Sequence, residues 1–168
     1  MNAVNSAMLH HIRFKKVLDN VPLIFRNFPP EDFRDFLLLG NYEEYHAGNI
    51  IVSEDNSDLN CGWLVLDGTI SVFLRDVFIT KIKAGEFLGE TFLFKNKPDF
   101  GTLTAARPAA VLRFEREKVI SYFESRSDRL FKIFLVNLVE LQNRKLIYAG
   151  KKILHLNNKL INNSSQHF

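Results

Sequence analysis

The residues of this chain best suited to recognising a ligand lie in one central stretch. Gly89 and Glu90 stand directly before Thr91-Phe92-Leu93-Phe94, and Lys97-Pro98-Asp99-Phe100-Gly101-Thr102 follows a few residues later. A glycine that lets the chain turn into a short helix leaves unpaired backbone N–H groups at the positive end of the helix dipole, which suits an anion. Phe92, Leu93 and Phe94 are expected to anchor that short helix to the core. The same glycines, with Gly85 and Gly101, also have a plain use as turn residues between strands.

Other chemistry finds little support. His10, His11, His46, His155 and His167 are scattered over unrelated segments, and no pair has the i,i+4 spacing of a helical zinc site. Ser, His and Asp are all present, yet no nucleophile-elbow sequence joins them. Neither catalysis nor a metal site is therefore expected. Cys61 is the single cysteine, which excludes an internal disulfide framework and reads as a small core residue at the start of a strand. A reducing compartment, the cytoplasm, is the expectation that follows.

The elements that must position the central stretch can be read from periodicity. A weak helical period from Met8 to Leu18 predicts a lead-in helix. Asn27-Phe28-Pro29-Pro30-Glu31-Asp32 then opens a second helix, with proline in its first turn and acids near the positive dipole end. Its apolar face is Phe33, Phe36 and Leu37, and Gly40 marks its stop. From Tyr42 to Phe114 the period becomes strand-like. Strands are predicted near Asn41–Tyr45, Ile50–Val52, Cys61–Leu66, Thr69–Leu74, Val77–Ile82, Thr102–Ala105 and Ala110–Phe114, with tight turns at Asp67-Gly68 and Arg75-Asp76. Asp-Gly takes positive φ readily and Arg-Asp does not.

A short helix is expected over 115–124 and a long one from about Asp128 to Leu160. Phe131, Phe134, Leu138 and Leu141 form a stripe suited to packing on the strands. Further along, Leu135, Val139, Gln142, Leu146, Ala149, Ile153, Leu156 and Leu160 alternate spacings of four and three, the pattern of a coiled-coil seam. Gly150 weakens the helix by about 1 kcal/mol relative to alanine and offers a place for a break.

The 168 residues, 46% of them hydrophobic, suffice for one domain with a sizeable core, and sixteen Phe make that core aromatic. The net charge of +3 is unevenly spread. Residues 129–160 carry seven Lys or Arg against the single acid Glu140, a balance of +6, and the remaining fifteen basic and eighteen acidic residues sum to −3. A basic helix is either a solvated face or a surface for an acidic partner. No window approaches the roughly 20 apolar residues of a membrane span, and the N-terminus lacks a signal-peptide pattern.

Three segments together carry a family resemblance. They are Tyr45-His46-Ala47-Gly48-Asn49-Ile50-Ile51, Trp63-Leu64-Val65-Leu66-Asp67-Gly68-Thr69-Ile70-Ser71-Val72, and the stretch from Lys83 through Gly89-Glu90 to Ala105. Over about residues 21–145 the chain resembles the cyclic-nucleotide-binding domains of kinases, channels and the catabolite activator protein. The resemblance implies an α+β, mainly β, fold: an antiparallel β-roll or jelly roll of about eight strands, flanked by N-terminal helices and a long C-terminal helix. It divides the chain into a lead-in helix (1–20), a roll with flanking helices (21–126), a long helix that could dimerise (127–160) and a disordered tail (161–168).

The resemblance also implies a ligand site at Leu88, Gly89, Glu90, Thr91, Pro98, Asp99, Phe100, Gly101 and Thr102. In the family the Gly-Glu pair opens a helix that receives the cyclic phosphate, and the glutamate binds the ribose hydroxyl. An arginine after the proline then pairs with the phosphate. Here that position is Asp99. Loss of one partner of a buried ion pair costs about 2–5 kcal/mol, and a carboxylate adds repulsion. That corresponds to about one and a half to more than three decades of affinity. Phe100 is bulky for a pocket wall, and Leu88 and Glu54-Asp55-Asn56 depart from the family's usual Phe and Glu-Gly-Asp. Thr102 matches a position where some relatives favour guanine.

The expectation is a non-enzymatic regulatory or protein-interaction module with lost or weakened cAMP or cGMP binding. Its C-terminal helix would form a homodimer through Leu135, Val139, Leu146 and Ile153 or engage another protein. The alternative is a working sensor of a cyclic nucleotide or of cyclic di-GMP, with Lys97 or Arg107 supplying the missing cation. A second alternative is a DNA-binding regulator lacking its helix-turn-helix, since only eight residues follow Leu160.

Overall fold

The computed structural model describes residues 12–54, 60–93 and 101–164. Helix α1 (Ile12–Asp19), a 3-10 turn (Leu23–Phe25) and α2 (Pro30–Leu37) precede the strands. Eight strands follow: β1 (Asn41–Tyr45), β2 (Ile50–Val52), β3 (Cys61–Asp67), β4 (Thr69–Leu74), β5 (Val77–Lys83), β6 (Phe87–Leu88), β7 (Thr102–Ala105) and β8 (Ala109–Glu115). Between β6 and β7 lies a 3-10 turn, Glu90–Leu93, and the chain closes with α3 (Arg116–Glu124) and α4 (Asp128–Ser164).

The strands form two antiparallel sheets, β1-β8-β3-β6 and β2-β7-β4-β5. This is the expected β-roll of the catabolite-activator type. Alternation along β3 and β8 explains how it is held. Cys61, Trp63 and Val65, with Ala109 and Val111, turn inward to meet Ile70 and Leu103 of the other sheet. Leu64 and Leu66, with Ala110, Leu112 and Phe114, turn outward to the helices. Strand β3 is thus buried on both faces, which is why it reads as a continuous apolar run.

The outer layer is built from phenylalanine rings. Phe36 on α2 lies 4.9 Å from Phe25 and 5.2 Å from Phe114, and Phe123 on α3 lies 4.8 Å from Phe134 on α4. Rings at these separations add edge and offset contacts to the area they bury. Leu130, Phe134 and Leu138 of α4 enter this core. Phe131, expected in the buried stripe, stays half exposed beside Phe123, and Leu130 fills the place instead. Helix α4 passes straight through Gly150 and extends to Ser164, past the expected end at Leu160.

Arg75 and Asp76 both adopt left-handed φ, 47° and 63°, at the β4–β5 turn. Positive φ at both central residues matches the twist of the flanking strands, so hairpin geometry overrides residue preference. The Arg75 backbone N–H donates to Glu54 Oε2 at 3.1 Å, tying the turn to the end of β2.

Candidate functional site

The site begins where β6 leaves the sheet. Leu88 pairs with Trp63, and the next residue, Gly89, has a φ of 72°. A Cβ at Gly89 would lie 3.0 Å from the Cys61 carbonyl oxygen and 3.1 Å from the Trp63 indole. Both the backbone angle and the space require glycine here. The Phe92 N–H then donates to the Gly89 carbonyl at 2.8 Å, closing the short turn, while the Phe92 ring is fully buried beneath it. Thr91 lies within this turn.

Glu90 opens the turn, and its burial is unusual for an acid: the residue is 4% exposed. Its Oε1 accepts a hydrogen bond from Gln142 Nε2 at 2.6 Å and forms an ion pair with Lys145 Nζ. The Lys145 ammonium also reaches the Phe87 carbonyl oxygen at 3.4 Å. Gln142 and Lys145 are three residues apart on α4 and therefore share a face. The helix delivers an amide and a cation to one carboxylate oxygen.

The second half of the predicted site is only partly described. Pro98, Asp99 and Phe100, with Lys97, lie outside the described residues. Gly101 has a φ of 70°, and a Cβ there would lie 2.0 Å from the Phe73 carbonyl oxygen, so β4 admits only glycine at this crossing. The Thr102 hydroxyl sits 3.4 Å from the Glu54 N–H, on the rim that also holds the β4–β5 turn. Arg107, considered as a replacement cation, is exposed in the β7–β8 connection.

A second, part-buried polar group collects around Arg113 on β8. Its guanidinium donates to Glu43 Oε1 at 2.9 Å and to Cys61 Sγ at 3.0 Å, and it approaches Glu115 Oε1 at 3.4 Å. The Tyr45 hydroxyl donates to Glu43 Oε2 at 2.7 Å. Burial, followed by the Glu43 carboxylate, pushes the Tyr45 hydroxyl well above the usual tyrosine range. The group is mutually satisfied and ties β1, β3 and β8 together. Cys61 is buried as the first residue of β3.

Beyond Lys145 the long helix leaves the body. Every residue from 146 to 162 is exposed, including Leu146 and Ile153 of the predicted seam. Leu135 and Val139 are exposed as well. Lys152 in this part reaches the roll, donating to the Ile79 carbonyl at 2.5 Å and lying 5.9 Å from the Phe78 ring. Val77, Phe78 and Ile79 are themselves exposed. Among the described residues no cluster of His, Cys, Asp and Glu is placed to hold a metal ion, and His46 and His155 are exposed. No described helix is long and apolar enough to cross a membrane.

The sequence did not reveal that Gln142 and Lys145 belong to the site. Gln142 stood out only as the single polar residue of the seam, and Lys145 as one of seven basic residues along the helix. Their partner is 52 and 55 positions away, so no local spacing could join them.

The model of a family described as the cyclic nucleotide-binding domain matches residues 42–126, half of the chain. No curated protein matches the chain. Among solved structures, a cyclic nucleotide-binding domain from Methylobacillus flagellatus superposes with a TM-score of 0.71 at 17% identity, covering 84% of this chain and 82% of that one. The N-terminal domain of a transcriptional regulator from Streptomyces coelicolor gives 0.65 at 15% identity, over 76% of this chain and 94% of the other. The catabolite activator protein of Thermus thermophilus also gives 0.65, at 21% identity, with 80% of this chain matched to 62% of that longer one. At these identities the likeness is one of fold.

Proposed function

The chain belongs to the cyclic nucleotide-binding domain family, and from that premise we propose a non-enzymatic regulatory or protein-interaction module whose binding of cAMP or cGMP is weakened. The observation that carries this reading is the state of Glu90. The acid that aligns with the family's ribose-binding glutamate is buried and already engaged by Gln142 and Lys145. Gln142 and Lys145 hold one of its two oxygens, so a ligand hydroxyl meets an acid already shared with a charged partner, which reduces whatever affinity the scaffold retains. Asp99 in place of the phosphate-pairing arginine works in the same direction.

In this reading residues 21–126 are the sensing body and the helix from residue 127 is the output. Its exposed stripe of Leu135, Val139, Leu146 and Ile153 is offered to a second copy of the chain or to another protein. Two of the structural neighbours are named as a transcriptional regulator and an activator protein, which supports a regulatory role for this fold.

Isothermal calorimetry with cAMP, cGMP and cyclic di-GMP tests the proposal. No heat is expected at micromolar ligand for the native chain, and micromolar binding of any of the three would overturn it. Asp99→Arg is expected to raise affinity for cAMP or cGMP by about one and a half to three decades or more, the worth of a restored buried charge pair.

A further inference from the structure

Between Leu141 and Ser164 every charged residue is basic: Arg144, Lys145, Lys151, Lys152 and Lys159. From Leu146 to Ile161 the apolar and basic residues take opposite sides of α4. At about 100° per residue, Leu146, Ile153 and Leu160 stack in one row, and Ile147, Leu154 and Ile161 stack in a second row about 100° round from it. Ala149 and Leu156 widen the first row on its other side. The apolar arc thus covers about half the circumference and is interrupted by Gly150 and Asn157. The other half holds Tyr148, Lys151, Lys152, His155, Asn158 and Lys159. Both rows face solvent: Leu146 is 72% exposed and Leu154 62%.

We propose that this half of α4 docks on an anionic lipid surface, lying along it with its apolar side inserted and its lysines at the edges. Phe134 and Leu138, which fix the helix on the roll, point about 110° away from the centre of the exposed face, so the roll does not cover it. Lys151 borders the face on one side, and Lys152 and Lys159 border it on the other. From there long side chains lay their stems on apolar surface and carry their charges to headgroups.

Two features favour lipid over a helical partner. The first is width. A two-helix contact uses a narrow stripe, and Ile147, Leu154 and Ile161 stay uncovered when Leu146 and Ile153 meet one partner helix. A flat apolar boundary takes the whole face in one contact. The second is charge. Lys145, Lys152 and Lys159 recur every seven residues beside the seam. Parallel copies would set Lys145 and Lys152 against Gly150 and Asn157, and antiparallel copies would set the lysine rows against each other. Neither arrangement supplies an acid. Within the chain Arg144 is paired with Glu140, Lys145 with Glu90, and Lys152 donates to the Ile79 carbonyl. Lys151 and Lys159 are exposed, and headgroups offer anions all along the helix. Leu146 and Ile153 belong to both contacts, so a lipid surface and a second copy compete for them.

Co-sedimentation of the full chain with vesicles tests the docking. The chain is expected to bind vesicles of phosphatidylcholine mixed with phosphatidylserine at least about tenfold more tightly than phosphatidylcholine alone, and to release as salt rises from about 0.1 M to about 0.5 M. Ile147→Glu with Leu154→Glu lies off the seam, at exposed positions, and is expected to lower binding about a hundredfold or more. Lys151→Gln with Lys159→Gln keeps the apolar face and should weaken binding about 25-fold, roughly fivefold for each cation.

Absence of binding to either vesicle, equal binding to both, or full binding by the Ile147→Glu, Leu154→Glu chain would overturn the proposal. A chain that doubles its mass in solution and stays off the vesicles would assign the face to a second copy. Binding to a glutamate-rich amphipathic peptide but not to vesicles would assign it to an acidic protein helix; either result overturns lipid docking. Calorimetry with cyclic nucleotides reads the roll and vesicle binding reads the helix, so the two readings can fail independently.

Discussion

The two halves of α4 belong to one continuous helix and have opposite surroundings. From Leu130 to Leu141 it presents Leu130, Phe134 and Leu138 to a core of phenylalanine rings. From Leu146 to Ile161 it carries eight large hydrophobic side chains, and all are exposed. Helix propensity does not separate them, because both halves are helical and the second even contains Gly150. The first half packs Leu130, Phe134 and Leu138 inside the chain, and the second leaves its large apolar side chains exposed. Gln142 and Lys145, bound to Glu90, mark the boundary.

This contrast can be broken at its strongest point by Phe134→Ala. The ring is 1% exposed, and truncation should cost about 3–5 kcal/mol in urea unfolding. A loss below about 1 kcal/mol would mean that the first half is no more a core element than the second. Asn137→Ala should cost less, about 1–3 kcal/mol, by leaving the buried Ile24 carbonyl and its neighbour at Arg26 without their donor. An unchanged unfolding midpoint would show that the donor is dispensable.

The smallest stability effect is expected in the other half. At a chain concentration too low for self-association, Leu146→Glu with Ile153→Glu should leave unfolding within about 0.5 kcal/mol of the native chain, since both positions are exposed in the single chain. If the proposed homodimer forms through this stripe, the sedimentation mass at high concentration should fall to that of a single chain. An unchanged mass would remove the seam as a contact between copies.

Much of the scaffold was legible from sequence because strand alternation and turn residues are local. The predicted strands from Asn41–Tyr45 to Ala110–Phe114 agree with the observed ones to within a residue at each end. Strand β6 escaped because Phe87–Leu88 is two residues long and has no period to read. The 3-10 turn Leu23–Phe25 escaped for the same reason. At the site, Gly89 and Gly101 were readable as glycines required by the backbone, whereas the engagement of Glu90 was not. It depends on how a helix crosses a sheet far along the chain, a tertiary fact with no local signature.

The burial of Trp63 has an optical consequence. It is the sole tryptophan, it is 2% exposed, and its indole lies against Gly89, one residue from Glu90. The protein therefore carries a native fluorophore in contact with the site's own backbone, reporting from a single known position with no label attached.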